Sequence, residues 1–433
     1  MSDRDGEEHA PAGRGAREQH RLLLLDRLRR RGSFSLREIG RLTGLSRATV
    51  SSLVAELRAQ DALAGVEPDR PATAFSAGRP PVRVALRPTL AAVVGLEFGA
   101  GYVRVAGADL GLAELFDLRR ELPDTEDPSE ALELAATMVD EALEGAGLER
   151  RRILGVGAAL PAPVDRARDE LHATSFLPIG WGSQGFHPAT EMRARLDLPV
   201  EIDNDANLGA LGEAVSGAAR GCSDVLYVKV GAGVGSGLML DGEIYRGWRG
   251  AAGELAHMVL DERGAVCYCG NRGCLWTIVG AQHIIELLRH AIPPRGLAAQ
   301  IATAQGQSDY ERLLATVIRL AADEEEVPFR RVLYEVGLDL GLAIGNLCNV
   351  LNPQRIVVGG MLSTAGDMVL GPLRASLERH TSSISGGPVE VVPSSLRENA
   401  EMQGALALIL RSDNPEVSNR LASLTSSLSI VPD

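Results

Sequence analysis

Residues 253–276 read GELAHMVLDERGAVCYCGNRGCLW, where one histidine precedes a C-x-C-x4-C cluster and three of the chain's five cysteines fall within eight residues. His257, Cys267, Cys269 and Cys274 supply one imidazole and three thiolates, a donor set that saturates tetrahedral Zn2+ and leaves no open position for water. The metal predicted is therefore structural. Gly270 and Gly273 permit the tight turns that aim nearby sulfurs at one ion, and binding would order an otherwise polar loop. The competing reading is a chance cluster or a redox pair. Clustered thiols in a reducing compartment are more often metal ligands, and C-x-C is poor geometry for a bridge within itself. Cys222 and Cys348 stand alone and are expected in the core.

A second chemical constellation lies near the front, in SLREIGRLTGLSRATVSSLVAEL. Ser35 can cap a short helix, Gly44 makes a turn, and Ser46 caps the next helix. In that helix Val50, Leu53, Val54 and Leu57 recur at helical spacing and predict one buried stripe. Ser46, Arg47, Thr49, Ser51 and Ser52 remain around its first turns. A helix-turn-helix places base-reading side chains there, with arginine suited to guanine and hydroxyls to bases or phosphates. The bland alternative is a helical bundle for protein contacts. Residues 64–86, rich in Gly and Pro before the alternating VRVAL, read as a wing followed by a linker. Gly78-Arg79-Pro80 either lays Arg79 into a narrow minor groove or is a plain interdomain hinge.

Charge follows the same division. Residues 1–88 hold 16 arginines against 11 acidic residues, +5 of the total −13, so the remainder carries −18. Local positive charge on an acidic body suits a nucleic-acid module at the front. Lys229 is the only lysine. The first ten residues are acidic and polar, unlike a signal peptide, and no apolar run is long enough to span a bilayer. A cytosolic protein with no membrane attachment is expected. From Ala91 onward strand-like and helix-like segments alternate in an α/β manner, with helices over 128–147 and 204–216 and no visible short repeat.

The order of the pieces GLEFGAGYVR, LPAPVD, LPIGW, IDNDANLGALGE, KVGAGVGSG, GELAH with its cysteine loop, and RIVVGG resembles the ROK family of bacterial repressors and sugar kinases. The match spans nearly all of residues 91–410. The resemblance implies an α/β chain with an N-terminal winged helix-turn-helix and a two-lobed actin-like or hexokinase-like body. It also implies a homodimer or homotetramer and zinc at the matching cysteine positions. The expected boundaries are a disordered 1–17, a DNA-binding module and linker over 18–88, a body over 89–412 and a flexible tail over 413–433. By the same resemblance Asp205 matches the aspartate that accepts a sugar hydroxyl's proton in the kinases. Asn204, Glu254 and His257 match sugar contacts.

The phosphate loops depart from the kinase pattern. D-x-G-G-T appears as Glu97-Phe98-Gly99-Ala100-Gly101 and G-T-G as Gly231-Ala232-Gly233, so both threonine hydroxyls are missing. Losing two positioned hydrogen bonds to a charged group, each worth roughly 1 to 3 kcal/mol, should strongly weaken phosphoryl transfer. Trp276 stands where kinases carry a glutamate, and Phe176 where relatives often have asparagine; both are expected at the ligand site, with ordinary core packing as the alternative for Phe176. The expectation is a non-enzymatic DNA-binding repressor, acting on a palindromic operator and controlled by a sugar-like effector. A functional sugar kinase with a regulatory front and an effector-independent DNA binder are the alternatives.

Overall fold

The computed structural model describes residues 14–427 apart from 67–82, 100, 123–126, 173–178, 184, 232, 292–296, 305–306, 324–326 and 383–388. Arg79 and Phe176 lie outside the described residues. The chain opens with α1 (Arg14–Arg31), β1 (Phe34–Ser35), α2 (Leu36–Thr43), α3 (Arg47–Ala59), β2 (Leu63–Val66) and β3 (Arg83–Leu86). Ser35 and Glu38 form a capping box on α2, Gly44 closes it at φ 71°, and Ser46 caps α3 by accepting from Thr49 N. Val50, Leu53, Val54 and Leu57 are buried, as their spacing predicts. β3 pairs antiparallel with both β1 and β2, which makes the three-stranded sheet of a winged module.

The body holds two five-stranded sheets. The first takes β4 (Ala92–Gly99), β5 (Tyr102–Asp109), β6 (Glu114–Glu121), β7 (Ile153–Leu160) and β10 (Val200–Asn204) in the order β10-β7-β4-β5-β6; β8 (Val164–Asp165) and β9 (Glu170–Leu171) form a separate small hairpin. α4 (Pro128–Gly145) and α5 (Pro188–Leu196) share its core. The second sheet takes β11 (Val225–Val230), β12 (Val234–Leu240), β13 (Glu243–Ile244), β14 (Arg355–Gly359) and β15 (Glu390–Pro393) in the order β13-β12-β11-β14-β15. Both sheets have the same plan: a three-stranded antiparallel meander, then two parallel strands added beside its first strand. This duplication is invisible as a repeat of residues. β7 is a fully apolar run and β4 departs from one only at Glu97, because both sheet faces are covered, whereas β6, at an edge, reads ELFDLRRE and is largely exposed.

α6 (Asp205–Ser216) and α13 (Ala400–Arg411) share a core with strands of both sheets. The two helices touch backbone to backbone: a β-carbon at Gly404 would overlap the Leu208 carbonyl, and one at Gly212 the Ala400 carbonyl. They therefore behave as one unit. The short α7 (Trp276–Val279) follows the cysteine loop, and α8 (Ala281–Ala291), α9 (Leu297–Thr303), α10 (Gln307–Ala321), α11 (Val327–Leu351) and α12 (Asp367–His380) complete the second lobe.

Three expected boundaries are corrected. Residues 413–427 are not a flexible tail: α14 (Pro415–Ser427) buries Val417 and Leu421 in the core that holds Leu24, Leu25 and Leu28 of α1. Arg21 of α1 donates to Thr425 and Ser426 at 2.7 Å each. Helix α1 begins at Arg14, inside the segment expected to be disordered. The joint between module and body is residues 87–91 rather than a long linker, and it is tied on both sides, Arg87 N to Ala62 O and Leu110 N to Pro88 O. Among the described residues no helix is long and apolar enough to cross a membrane.

Candidate functional site

Between the lobes lies a cleft of about 130 Å³ whose lining includes Glu97, Tyr102, Asn204, Asp205, Lys229, Glu254 and Tyr268. Asn204 caps α6, accepting from Ala206 N at 3.0 Å and Asn207 N at 3.2 Å, so its side-chain oxygen serves the helix and its amide nitrogen faces the Ala162 carbonyl. Asp205 is ion-paired: Lys229 Nζ stands 2.9 Å from one carboxylate oxygen and 3.3 Å from Glu401 on α13. Burial works against the ammonium, but Asp205 and Glu401 hold its pKa well above the ordinary lysine value. Glu97, 6 % exposed, accepts the Tyr102 hydroxyl at 2.5 Å. Tyr102 in turn carries Arg119 over its ring at 3.6 Å.

The second wall comes from the cysteine loop. The donor atoms of His257, Cys267, Cys269 and Cys274 all lie within 4.8 Å of one another. Cys269 and Cys274 sulfurs are 3.7 Å apart, and Cys267 Sγ is 3.6 Å from His257 Nδ1. A tetrahedral ion with metal–sulfur bonds of about 2.3 Å sets two sulfurs about 3.8 Å apart, so the residues fit a metal. Gly270 and Gly273 adopt φ 92° and 63°, the turns that fold the loop back on itself. Burial pushes the Cys274 thiol up to about 12, so a bound cation is what would hold this sulfur as a thiolate.

Of the expected ligand contacts, Asn204, Asp205 and Glu254 line the cleft. His257 stands behind Tyr268, whose hydroxyl is 3.0 Å from His257 Nε2. Trp276 is one layer further back, edge-to-face against Tyr268 at 5.1 Å, with its indole nitrogen buried and lacking a hydrogen-bond partner. It does not line the cleft; Tyr268 takes the aromatic position expected of it. The sequence reading missed Tyr268, Lys229 and Glu401. Tyr268 was signalled by its place between two metal ligands, Lys229 by being the sole lysine; Glu401 carried no local signal.

At the other end of the molecule Ser46, Arg47, Ser51 and Ser52 are exposed at the start of α3, and Thr49 is half-buried with its hydroxyl 2.9 Å from Ser46 Oγ. Ser52 also neighbours Arg17, which pairs with Glu56 at 2.8 Å.

The description "ROK family" matches residues 93–412, most of the body just described. The chain belongs to the ROK family. The xylose repressor of Bacillus subtilis is 26 % identical over 389 residues, 90 % of this chain and 94 % of the repressor. The glucokinase of Halalkalibacterium halodurans is 31 % identical over 328 residues, covering 74 % of this chain and 96 % of the kinase. The crystal structure of a ROK family transcriptional regulator, a homolog of the E. coli MLC protein, superposes with a TM-score of 0.73 at 22 % identity, covering 95 % of this chain and 98 % of that one. The ROK regulators thus align beyond residues 93–412, whereas the ROK kinase accounts for less of the chain.

Proposed function

We propose that this ROK chain is a DNA-binding transcriptional repressor whose cleft binds a sugar-class effector and transfers no phosphate. The observation that carries the reading is the packing of the winged module on α13. Arg29 of α1, its side chain fully buried, donates to the carbonyls of Ile409, Leu410 and Ser412 at 2.6, 3.1 and 2.8 Å, at the last turn of α13. The first turn of the same helix carries Glu401, the partner of Lys229 in the cleft. One rigid helix, locked to α6, therefore has one end at the ligand site and the other at the DNA-binding module. A ligand that engages Asp205 competes with Lys229, shifts the lobe carrying β11 against α6 and α13, and biases the module's position.

Ser46, Arg47, Thr49, Ser51 and Ser52 form the DNA-reading surface, in a homodimer or homotetramer on a palindromic operator. His257, Cys267, Cys269 and Cys274 hold a structural Zn2+ that fixes Tyr268 on the cleft wall. The second reading, a sugar kinase, is favoured by the retained Asn204 and Asp205. Against it stand the ion pair on Asp205 and the alanine at 232 in place of the kinase threonine. The experiment is selection of genomic fragments by the purified protein, with ATP turnover followed over a panel of sugars. Enrichment of one palindromic sequence without turnover is expected; sugar-dependent ADP release without sequence-specific binding would overturn the reading.

A further inference from the structure

The cleft is unevenly charged, and the imbalance identifies the class of ligand. Glu97, Asp205, Glu254 and Glu311 line it and Glu401 stands behind Lys229, so among the described residues five carboxylates meet two cations, the Lys229 ammonium and, behind the lining, the Arg104 guanidinium 3.8 Å from Glu97. The N-terminus of α6 also points here, but it offers about half an elementary charge and is already met by Asn204 and Asp205. The acidic side dominates.

Two of these carboxylates keep an oxygen without a donor among the described residues, although Glu97 Oε1 accepts the Tyr102 hydroxyl. Glu97 Oε2 is buried with no hydrogen-bond partner, the nearest guanidinium, Arg104, being 3.8 Å away. For Glu254 the nearest basic nitrogen is His257 Nε2 at 3.9 Å, which burial keeps towards its neutral form and which already faces the Tyr268 hydroxyl. A phosphorylated ligand would add negative charge to this field. A neutral polyol would be admitted but would bring no compensating charge. A protonated amine brings three donors and the missing charge together, and Lys229 is the internal precedent for an ammonium kept charged among these same carboxylates.

We propose that the cleft is built for a cationic, amine-bearing polyol of the amino-sugar class and excludes phosphorylated sugars. The inference rests on reading the cleft as the effector site. Its chemistry is charge-assisted hydrogen bonding from the ligand amine to Glu254 and Glu97, beside hydroxyl contacts to Asn204 and Asp205.

The test is calorimetry on the full-length, metal-loaded protein with glucosamine, N-acetylglucosamine as the uncharged analogue, glucose, glucose 6-phosphate, and magnesium chloride alone. Glucosamine is expected to bind at least about tenfold tighter than glucose or N-acetylglucosamine, the margin between charge-assisted and neutral hydrogen bonds, and glucose 6-phosphate to give no heat. In Glu254→Gln, a change at a partly exposed side chain, that margin should shrink to about threefold or less, and Glu97→Gln should shrink it independently. Equal affinity for amine and neutral sugars, tighter binding of glucose 6-phosphate, no binding of glucosamine, or a heat from magnesium that glucosamine does not compete would each overturn the proposal. Operator release driven by an anionic metabolite would overturn it too while leaving the repressor reading intact; that reading itself fails if the protein shows no sequence-specific DNA binding or if no ligand alters that binding.

Discussion

The ammonium of Lys229 joins three units at one point: β11, on which it stands, α6 through Asp205, and α13 through Glu401. Removing it leaves Glu401 without a counter-charge and with only the Tyr227 hydroxyl, at 3.1 Å; burial chiefly holds this carboxyl above its usual range and Lys229 mainly restrains it. A carboxyl whose folded value lies above its unfolded one makes the native state the better proton binder. Stability is then kept below the usual carboxylate range and lost as pH rises through the folded value. Lys229→Met should cost about 2 kcal/mol at pH 7, less than a fully buried pair because the lysine side chain is 29 % exposed, and the loss should narrow towards pH 5. Urea denaturation at both values checks this, and a loss that does not depend on pH contradicts it. A sole lysine was conspicuous in the sequence, but its partners lie far away on either side in the chain, so the ion pair became legible only in three dimensions. Trp276 shows the converse: its type was visible, yet whether it or the neighbouring Tyr268 faced the cleft depended on the loop's turns at Gly270 and Gly273.

At the scale of elements, helix α3 was legible because its start is local chemistry: the Ser35 and Ser46 caps, Gly44 and the buried stripe needed no distant partner. Arg47→Ala should cost about 1 to 3 kcal/mol of specific DNA affinity with the fold unchanged. A gel-shift titration at fixed salt measures it, and undiminished specificity would remove Arg47 from the reading surface. The cysteine loop was legible for the same reason, its ligands being close in sequence. Cys274→Ser should abolish bound metal by elemental analysis, since serine replaces a thiolate within a closed site; stoichiometric metal in the variant would remove Cys274 from the ligand set. Helix α14 was not legible. Its Ser/Thr-rich sequence resembles a tail, and its apolar Val417 and Leu421 are an i, i+4 pair too short to announce a helix without the α1 surface they cover. Ending the chain at Asp413 exposes that surface and leaves Arg21 without Thr425 and Ser426. The unfolding temperature should fall by several degrees in calorimetry and operator binding should be lost; an unchanged transition would show that α14 is dispensable.

Across the whole molecule, the winged module and the body share one hydrophobic core, which includes Leu24, Leu28, Val93, Leu406 and Leu421. On the proposed function, that continuity, with Arg29 fixed on the end of α13, is the route by which occupancy of the cleft would reach the DNA. The duplicated strand order of the two lobes escaped the sequence because a fold repeats its layers without repeating its residues; motif order, by contrast, located the body well. Arg29→Lys keeps the charge but loses the planar fork that holds three carbonyls, so it should loosen the link between sites more than it weakens either site alone. The most direct measurement is fluorescence anisotropy of the selected operator, titrated with protein at zero and saturating effector, in wild type and Arg29→Lys. Effector is expected to weaken operator binding by about tenfold or more in wild type, a coupling of about 1.4 kcal/mol that operator must return by weakening effector binding equally, and Arg29→Lys is expected to reduce it. An operator affinity that stays the same at saturating effector, in a protein whose cleft demonstrably binds that effector, would contradict the coupling.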